Sequence, residues 1–430
     1  MDENNTLHVK VIIPDLEGKE MLGVLIISSK QKVIEFSEHP YGRMSFDTIP
    51  IMFCYSPKQN FTLIQSIFSK SNGNKVSYII NELYDNIVDD LFDSKAYTSL
   101  NAEVTNMSNW IPPKLIDISH EKGGEKLISV SIGNEVSIEY FLSEEYFLKF
   151  LLRPHFSLKS GEVRFFEDVS MTVYAANPTS RNRLFAAYYS LLNFYTLFLT
   201  VVPNTKKLVF ERGVQFVNLI LSEVDFEESR FHVLLQYNEV ENFSVVVQKY
   251  FSQREKFDQV VSLWETGLKS NNPEIIFLYL TQSIEVLHKY FYEDDVELRD
   301  RIKSEVDVEF GLQNNKRKEW TNMMRYFHFF SILESEGLKI DLPLEKKEFL
   351  SYLLDSRNYY THYDEKSFVW TIFQLYEINK VVRIFMRALI LVSLGIDTKK
   401  IQIVIKREFY HSLEMDISKN QFSMWFGKKM

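Results

Sequence analysis

The sequence predicts an α+β chain in which a β-rich N-terminal module, sandwich- or barrel-like, packs with a C-terminal all-α helical bundle. Two observations predict it. Apolar residues alternate with period 2 through the first half, and the period changes to helical from about Phe243. No Pro- or Ser-rich linker separates the two parts, so they are expected to pack together. The division expected is 1–245 for the β-rich module and 246–430 for the helical domain. With 430 residues and 45% hydrophobics, the chain can bury sizeable cores.

In chain order, LHVKVIIP, GVLIIS, KVIEF, FTLIQSIF, EVRFFEDVSMTVYAA, KLVF and FHVLLQY read as strands. ISVSI and EVSIEY, around Gly133-Asn134, read as a hairpin because Gly133 can adopt the positive φ of a tight turn. The uncharged run from Leu184 to Val202 has nearly the length of a membrane span. Ser190, Asn193, Thr196, Thr200 and three Tyr interrupt it, so it reads as a buried helix of the β module, not a span.

Helical spacing begins with FSVVVQKYFSQREKFDQVVSLWETGL and resumes at Pro273, a residue suited to a first helical turn, with EIIFLYLTQSIEVLHKYFY. Further helices are expected around KRKEWTNMMRYFHFFSIL, from about Leu344 to His362, and along FVWTIFQLYEINKVVRIFMRALILVSLG, with Gly395 as the last cap.

Composition narrows the function classes. A net charge of −9 argues against non-specific coating of nucleic acid, although a small basic cleft remains compatible with it. The lone Cys54 cannot form an intramolecular disulfide or a Cys-based zinc site. MDENNTLHVK lacks the basic and apolar parts of a secretion signal, so a cytoplasmic protein is expected. The usual signatures of P-loops, dinucleotide folds, zinc proteases and nucleophile-elbow hydrolases are missing.

What remains is DSRNYYTHYDE, from Asp355 to Glu365. It sets a guanidinium, an amide and an imidazole at Arg357, Asn358 and His362. The R-N-x3-H pattern resembles the R-x(4–6)-H motif of the HEPN superfamily of helical nucleases and nucleotide-binding domains. Its setting in a penultimate helix before a long apolar one, and the earlier TQSIEVLHKYF, resemble the ApeA-like branch. The resemblance covers roughly Pro273 to Gly395; before about Phe243 it is architectural only. It implies an endoribonuclease of prokaryotic anti-phage defence, cleaving RNA, with tRNA one candidate substrate, to a 2′,3′-cyclic phosphate and a 5′-hydroxyl. It also implies a homodimer with a cleft built across both copies.

The residue types suit that chemistry without a metal or other cofactor. RNA carries its own nucleophile in the 2′-hydroxyl, so the protein has only to move protons and stabilise phosphate charge. The imidazole of His362 can do the first near neutral pH, and the fork of Arg357 can do the second. Asn358 would orient either group or a phosphate oxygen. Five residues separate Arg357 from His362 by ~140° on a straight helix, so one phosphate can meet both only under a further condition. Either the helix bends or ends near His362, as the polar run Tyr363–Ser367 suggests, or two copies contribute.

Glu285 on the adjoining helix could hold Arg357 or His362 in position, or stand as a solvated helix carboxylate. His288 shares its face and is read as a helix-face residue; His328, amid aromatics, is read as core-edge. Lys316-Arg317-Lys318, Lys346-Lys347, Lys399-Lys400 and Lys406-Arg407 could guide RNA. The functional expectation is a β-rich sensor of an unidentified trigger controlling a helical ribonuclease. The alternative is a non-catalytic scaffold binding RNA, nucleotide or a partner protein.

Overall fold

The computed structural model describes residues 5–28, 31–41, 48–72, 75–88, 95–111, 116–120, 128–159, 162–221, 232–311, 319–363 and 368–414. The chain divides into two compact units, Met1–Tyr189 with Pro203–Ser229, and Ser190–Val202 with Arg230–Met430. The first is β-rich and the second helical.

Among the described residues the first unit holds fourteen strands. They are β1 (Asn5–Ile13), β2 (Lys19–Ile27), β3 (Lys32–Phe36), β4 (Thr48–Tyr55), β5 (Asn60–Asn72), β6 (Lys75–Asp85), β7 (Tyr97–Val104), β8 (Ile116–His120), β9 (Ile128–Ile132), β10 (Val136–Phe141), β11 (Tyr146–Lys159), β12 (Glu162–Thr179), β13 (Thr205–Arg212) and β14 (Gln215–Ile220). A short helix α1 (Met107–Trp110) follows β7, and α2 (Arg181–Thr196) follows β12.

Antiparallel pairing in the order β6-β3-β2-β1-β4-β5 closes on itself through β5–β6, which makes a six-stranded barrel. Its interior follows from the pleat: Val9, Val11 and Ile13 of β1, Ile34 and Phe36 of β3, and Met52 and Cys54 of β4 alternate inward into one cluster. Burial raises the Cys54 thiol pKa above its ordinary value. Gly23 of β2 is required by close approach, since a Cβ there would lie 3.2 Å from the Glu35 carbonyl and 3.3 Å from Val11. One edge of β6 is shared: Val76–Ile79 pairs with β3, and Leu83–Tyr84 with β14. From β14 the sheet runs outward through β13, β7, β12 and β11 to β10.

Two of the expected β elements differ. ISVSI is β9 and pairs with β8, while EVSIEY lies in β10 and pairs with β11, so the expected hairpin at Gly133-Asn134 does not form. β10 instead meets a longer apolar strand through the tight turn Leu142–Glu145, where the Leu142 and Ser143 amides reach the Tyr146 carbonyl. The described part of FHVLLQY, residues 232–237, is no strand either, apart from a single bridge between Val233 and Leu199. The same backbone pairing ends α2 before Val202: the Leu234 amide bonds the Phe198 carbonyl at 2.8 Å, and Thr200 bonds the His232 carbonyl at 3.0 Å. Groups so engaged cannot continue a helix. Among the described residues no helix is long and apolar enough to cross a membrane.

The second unit contains α3 (Phe243–Ser252), α4 (Arg254–Lys269), α5 (Pro273–Tyr292), α6 (Val296–Phe310), α7 (Asn322–Ser335), α8 (Lys346–His362), α9 (Ile372–Leu394) and α10 (Thr398–Glu414). The first expected helix is broken at Gln253, whose ψ of 22° leaves the helical region. In a straight helix Tyr250 and Phe257 would stand about 10 Å apart along the axis. The break lets their buried rings stack at 5.2 Å.

The sequence reading did not anticipate α6 and α10; among the described residues the motif helix α8 is followed by both α9 and α10 and so is not penultimate. α5 packs against α4, α7, α8 and α9. Its start is determined locally: Pro273 occupies the first turn, and the Asn272 side chain accepts from the Glu274 and Ile275 amides at 2.8 and 3.2 Å. Asn272→Ala should cost about 1 kcal/mol, read as a thermal midpoint lower by roughly 2–4 °C. At the other end of the bundle Gly395 closes α9 at φ 81°.

Candidate active site

The site is built on α8. Phe349, Leu350, Leu353, Ser356 and Tyr360 recur at helical spacing and are buried, which fixes the rotation of the helix. Two bonds then pin its last turns to the entry of α9: Ser356 Oγ accepts from the Trp370 amide at 2.9 Å, and the Tyr360 hydroxyl donates to the Trp370 carbonyl at 2.7 Å. Burial pushes the Tyr360 phenol up to about 12. Immediately after His362, Tyr363 turns left-handed at φ 56° and ends the helix.

That rotation aims Arg357 at α5. Its Nε donates to Glu285 Oε1 at 2.9 Å and its Nη2 to Oε2 at 3.1 Å, a bidentate pair with only 23% and 14% of the two side chains exposed. Tyr326 of α7, with no exposed surface, donates its hydroxyl to Glu285 Oε1 at 2.8 Å. Burial, reinforced by the Glu285 charge, lifts the Tyr326 phenol pKa well above its ordinary value. Three helices therefore meet at one carboxylate.

Asn358 is half-buried and His362 exposed, and among the described residues neither side chain makes a hydrogen bond. The helix stays regular through His362, so the angular separation of ~140° from Arg357 is retained. Within one chain, Arg357 and Tyr326 converge on Glu285, whereas His362 stands apart at the helix end. Tyr326 had no signal in the sequence, because its partner lies forty-one residues away on another helix.

His288 and His328 are core groups. His288 is fully buried, not displayed on a helix face, and its Nε2 lies 3.2 Å from His328 Nδ1 among Trp320, Tyr292 and Phe329. Burial drives the His288 pKa down to about 3, helped by the positive charges of His328 and Arg325. Burial and Arg301 drive His328 to about 4 against the opposing pull of Asp295.

A linkage with pH follows. The unfolded histidines take up protons near ~6.5, but the folded pair resists until about 4 and about 3. Stability is thus fully present above ~6.5 and is lost as pH falls toward the folded values, at up to about 1.4 kcal/mol per pH unit per histidine. Urea midpoints between pH 7 and pH 5 should decline for the wild type and decline less for His328→Gln.

Among the described residues no group of three or more His, Cys, Asp or Glu side chains is placed to hold a metal. The basic clusters are divided in role. Lys346 pairs with Glu334 at 2.6 Å, and Arg407 bonds Glu239 and the Leu234 carbonyl. Lys399 and Lys406 are exposed, and Lys316-Arg317-Lys318 lies outside the described residues.

Residues 278–400 match the family model described as Apea-like HEPN. No curated protein and no solved structure matches the chain. The matched segment runs from α5 into the first turn of α10 and includes Glu285, Tyr326, Arg357, Asn358 and His362. With the motif helix, the long apolar α9 and a β-rich unit in the same chain, residues 278–400 form an Apea-like HEPN domain.

Proposed function

We propose that the protein is a metal-independent HEPN endoribonuclease of prokaryotic anti-phage defence, cytoplasmic and active as a homodimer, with the β-rich unit sensing the trigger. At the coarser level the domain points to an RNA-related, defence-associated role. The observation that carries the finer reading is a guanidinium held by Glu285 on the same helix end that presents an exposed imidazole.

In the reaction, His362 accepts the 2′-hydroxyl proton as the O2′–P bond forms. A second His362, from another copy, returns a proton to the departing 5′-oxygen as the P–O5′ bond breaks. Arg357 stabilises the charge developing on the non-bridging oxygens. Asn358 orients the phosphate or one of these groups. Because Arg357 and His362 diverge around α8, a second copy supplies the missing partner. Apolar surface for it is offered by Phe368 before α9 and by Ile372, Phe373 and Tyr376 in its first turns, of which Phe373 is 69% exposed.

Cleavage of a labelled RNA in EDTA by the wild type, and its loss in His362→Ala, tests this reading. One observation favours a non-catalytic scaffold instead, namely that the Nε–Nη2 edge of Arg357 is already occupied by Glu285. RNA binding without cleavage, and expression without growth arrest, would decide for the scaffold.

A further inference from the structure

A guanidinium has two edges able to grip an oxyanion with paired N–H donors. In Arg357 the side-on edge, Nε with one N–H of Nη2, is given to Glu285. The end-on edge, Nη1 with the second N–H of Nη2, has no hydrogen bond among the described residues and is the one available to a phosphate. Its aim depends on the carboxylate behind it. A Glu carboxylate rotates over a broad, soft torsion, so one guanidinium alone orients it poorly. The fully buried Tyr326 adds a second contact, from its hydroxyl to Oε1, the oxygen that also receives Arg357 Nε.

Packing does not require that hydroxyl. A phenylalanine ring would fill the same space in α7, whereas the oxygen's hydrogen bond among the described residues is to Glu285. The Tyr326 hydroxyl therefore serves the orientation of Glu285, and through it the orientation of Arg357.

We propose that Tyr326 is a positioning residue: acting through Glu285, it locks the side-on edge of Arg357 so that the end-on edge meets the scissile phosphate of RNA. The inference rests on the ribonuclease reading. Misorientation of this kind weakens the grip on a transition state more than the grip on a bound substrate, so it lowers kcat and leaves KM nearly unchanged.

The full-length wild type, Tyr326→Phe, Glu285→Ala, the double variant and His362→Ala are compared on a labelled mixed-sequence RNA in EDTA, with thermal melting as the folding control. Tyr326→Phe should lower kcat roughly tenfold, the rate equivalent of one lost hydrogen bond, with KM within about twofold. In the Glu285→Ala background, where no acceptor remains for the hydroxyl, the same change should add almost nothing, because both act through one contact. A kcat for Tyr326→Phe equal to the wild type, or full additivity in the double variant, would overturn the proposal.

Wild-type protein as inactive as His362→Ala would instead overturn the ribonuclease reading. The orientation of Arg357 is then judged alone, from its rate of modification by phenylglyoxal read by peptide mass spectrometry. That rate should rise about threefold in Tyr326→Phe if the hydroxyl restrains the guanidinium through Glu285. An unchanged rate counts against the restraint.

Discussion

His362→Ala should lower RNA cleavage by at least about a hundredfold while leaving the melting temperature within a degree or two of the wild type. The two halves of that expectation have separate grounds. His362 is exposed in the last turn of α8 and makes no side-chain hydrogen bond among the described residues, so its removal leaves neither a cavity nor a stranded polar partner. Proton transfer by a placed imidazole typically contributes two to four orders of magnitude, and the loss should appear in kcat.

Arg357→Ala should reduce cleavage by about a hundredfold to a thousandfold, but it should also destabilise, because Glu285 would keep a mostly buried carboxylate without its cation. A stable, folded His362→Ala protein that cleaves at the wild-type rate would remove the catalytic assignment.

The largest expected effect on stability lies away from this site. Glu408 of α10 is 1% exposed and meets Arg387 of α9, itself without exposed surface, at 2.8 Å, and Arg383 at 2.8 Å. Arg387 also donates to the Leu199 carbonyl at 2.7 Å and lies over the Trp264 ring. Burial draws the Arg387 pKa down to about 10, opposed by the attraction of Glu408.

Glu408→Ala would leave a desolvated cation without its counter-charge, which costs roughly 3–5 kcal/mol. Its melting temperature should fall by about 10 °C or more, and Glu408→Gln should fall less. A loss under about 1 kcal/mol by urea titration would show that water reaches the pair after truncation.

These two sites differ in how far the sequence announced them. Arg357, Asn358 and His362 are neighbours on one helix, so their spacing was readable directly. Glu285 was visible as a carboxylate on the right helix, but its burial was undecided until α8 was rotated by Phe349, Leu350 and Leu353. Tyr326, the burial of His288 and the Glu408 pair had no local sign, since each depends on a partner brought in by packing. The same division runs through the fold. The alternation of Val9, Val11 and Ile13 marked a strand, yet nothing local could say that β1 would pair with β4, that β3 would pair with β6, or that β9 would choose β8.

By itself the sequence determined what short-range physics controls. The period of apolar residues fixed most strands and helices, Pro273 and Gly395 bounded two of those helices, and the motif placed its three polar groups along α8. Only the tertiary structure decided which side chains lose water together. The β1–β4 and β3–β6 pairings of the barrel, the pairing of 198–200 with 232–234 and the clasp of Tyr326 and Arg357 on Glu285 are long-range contacts. Their free energy comes from desolvation and alignment across separate elements, which no window of neighbouring residues contains.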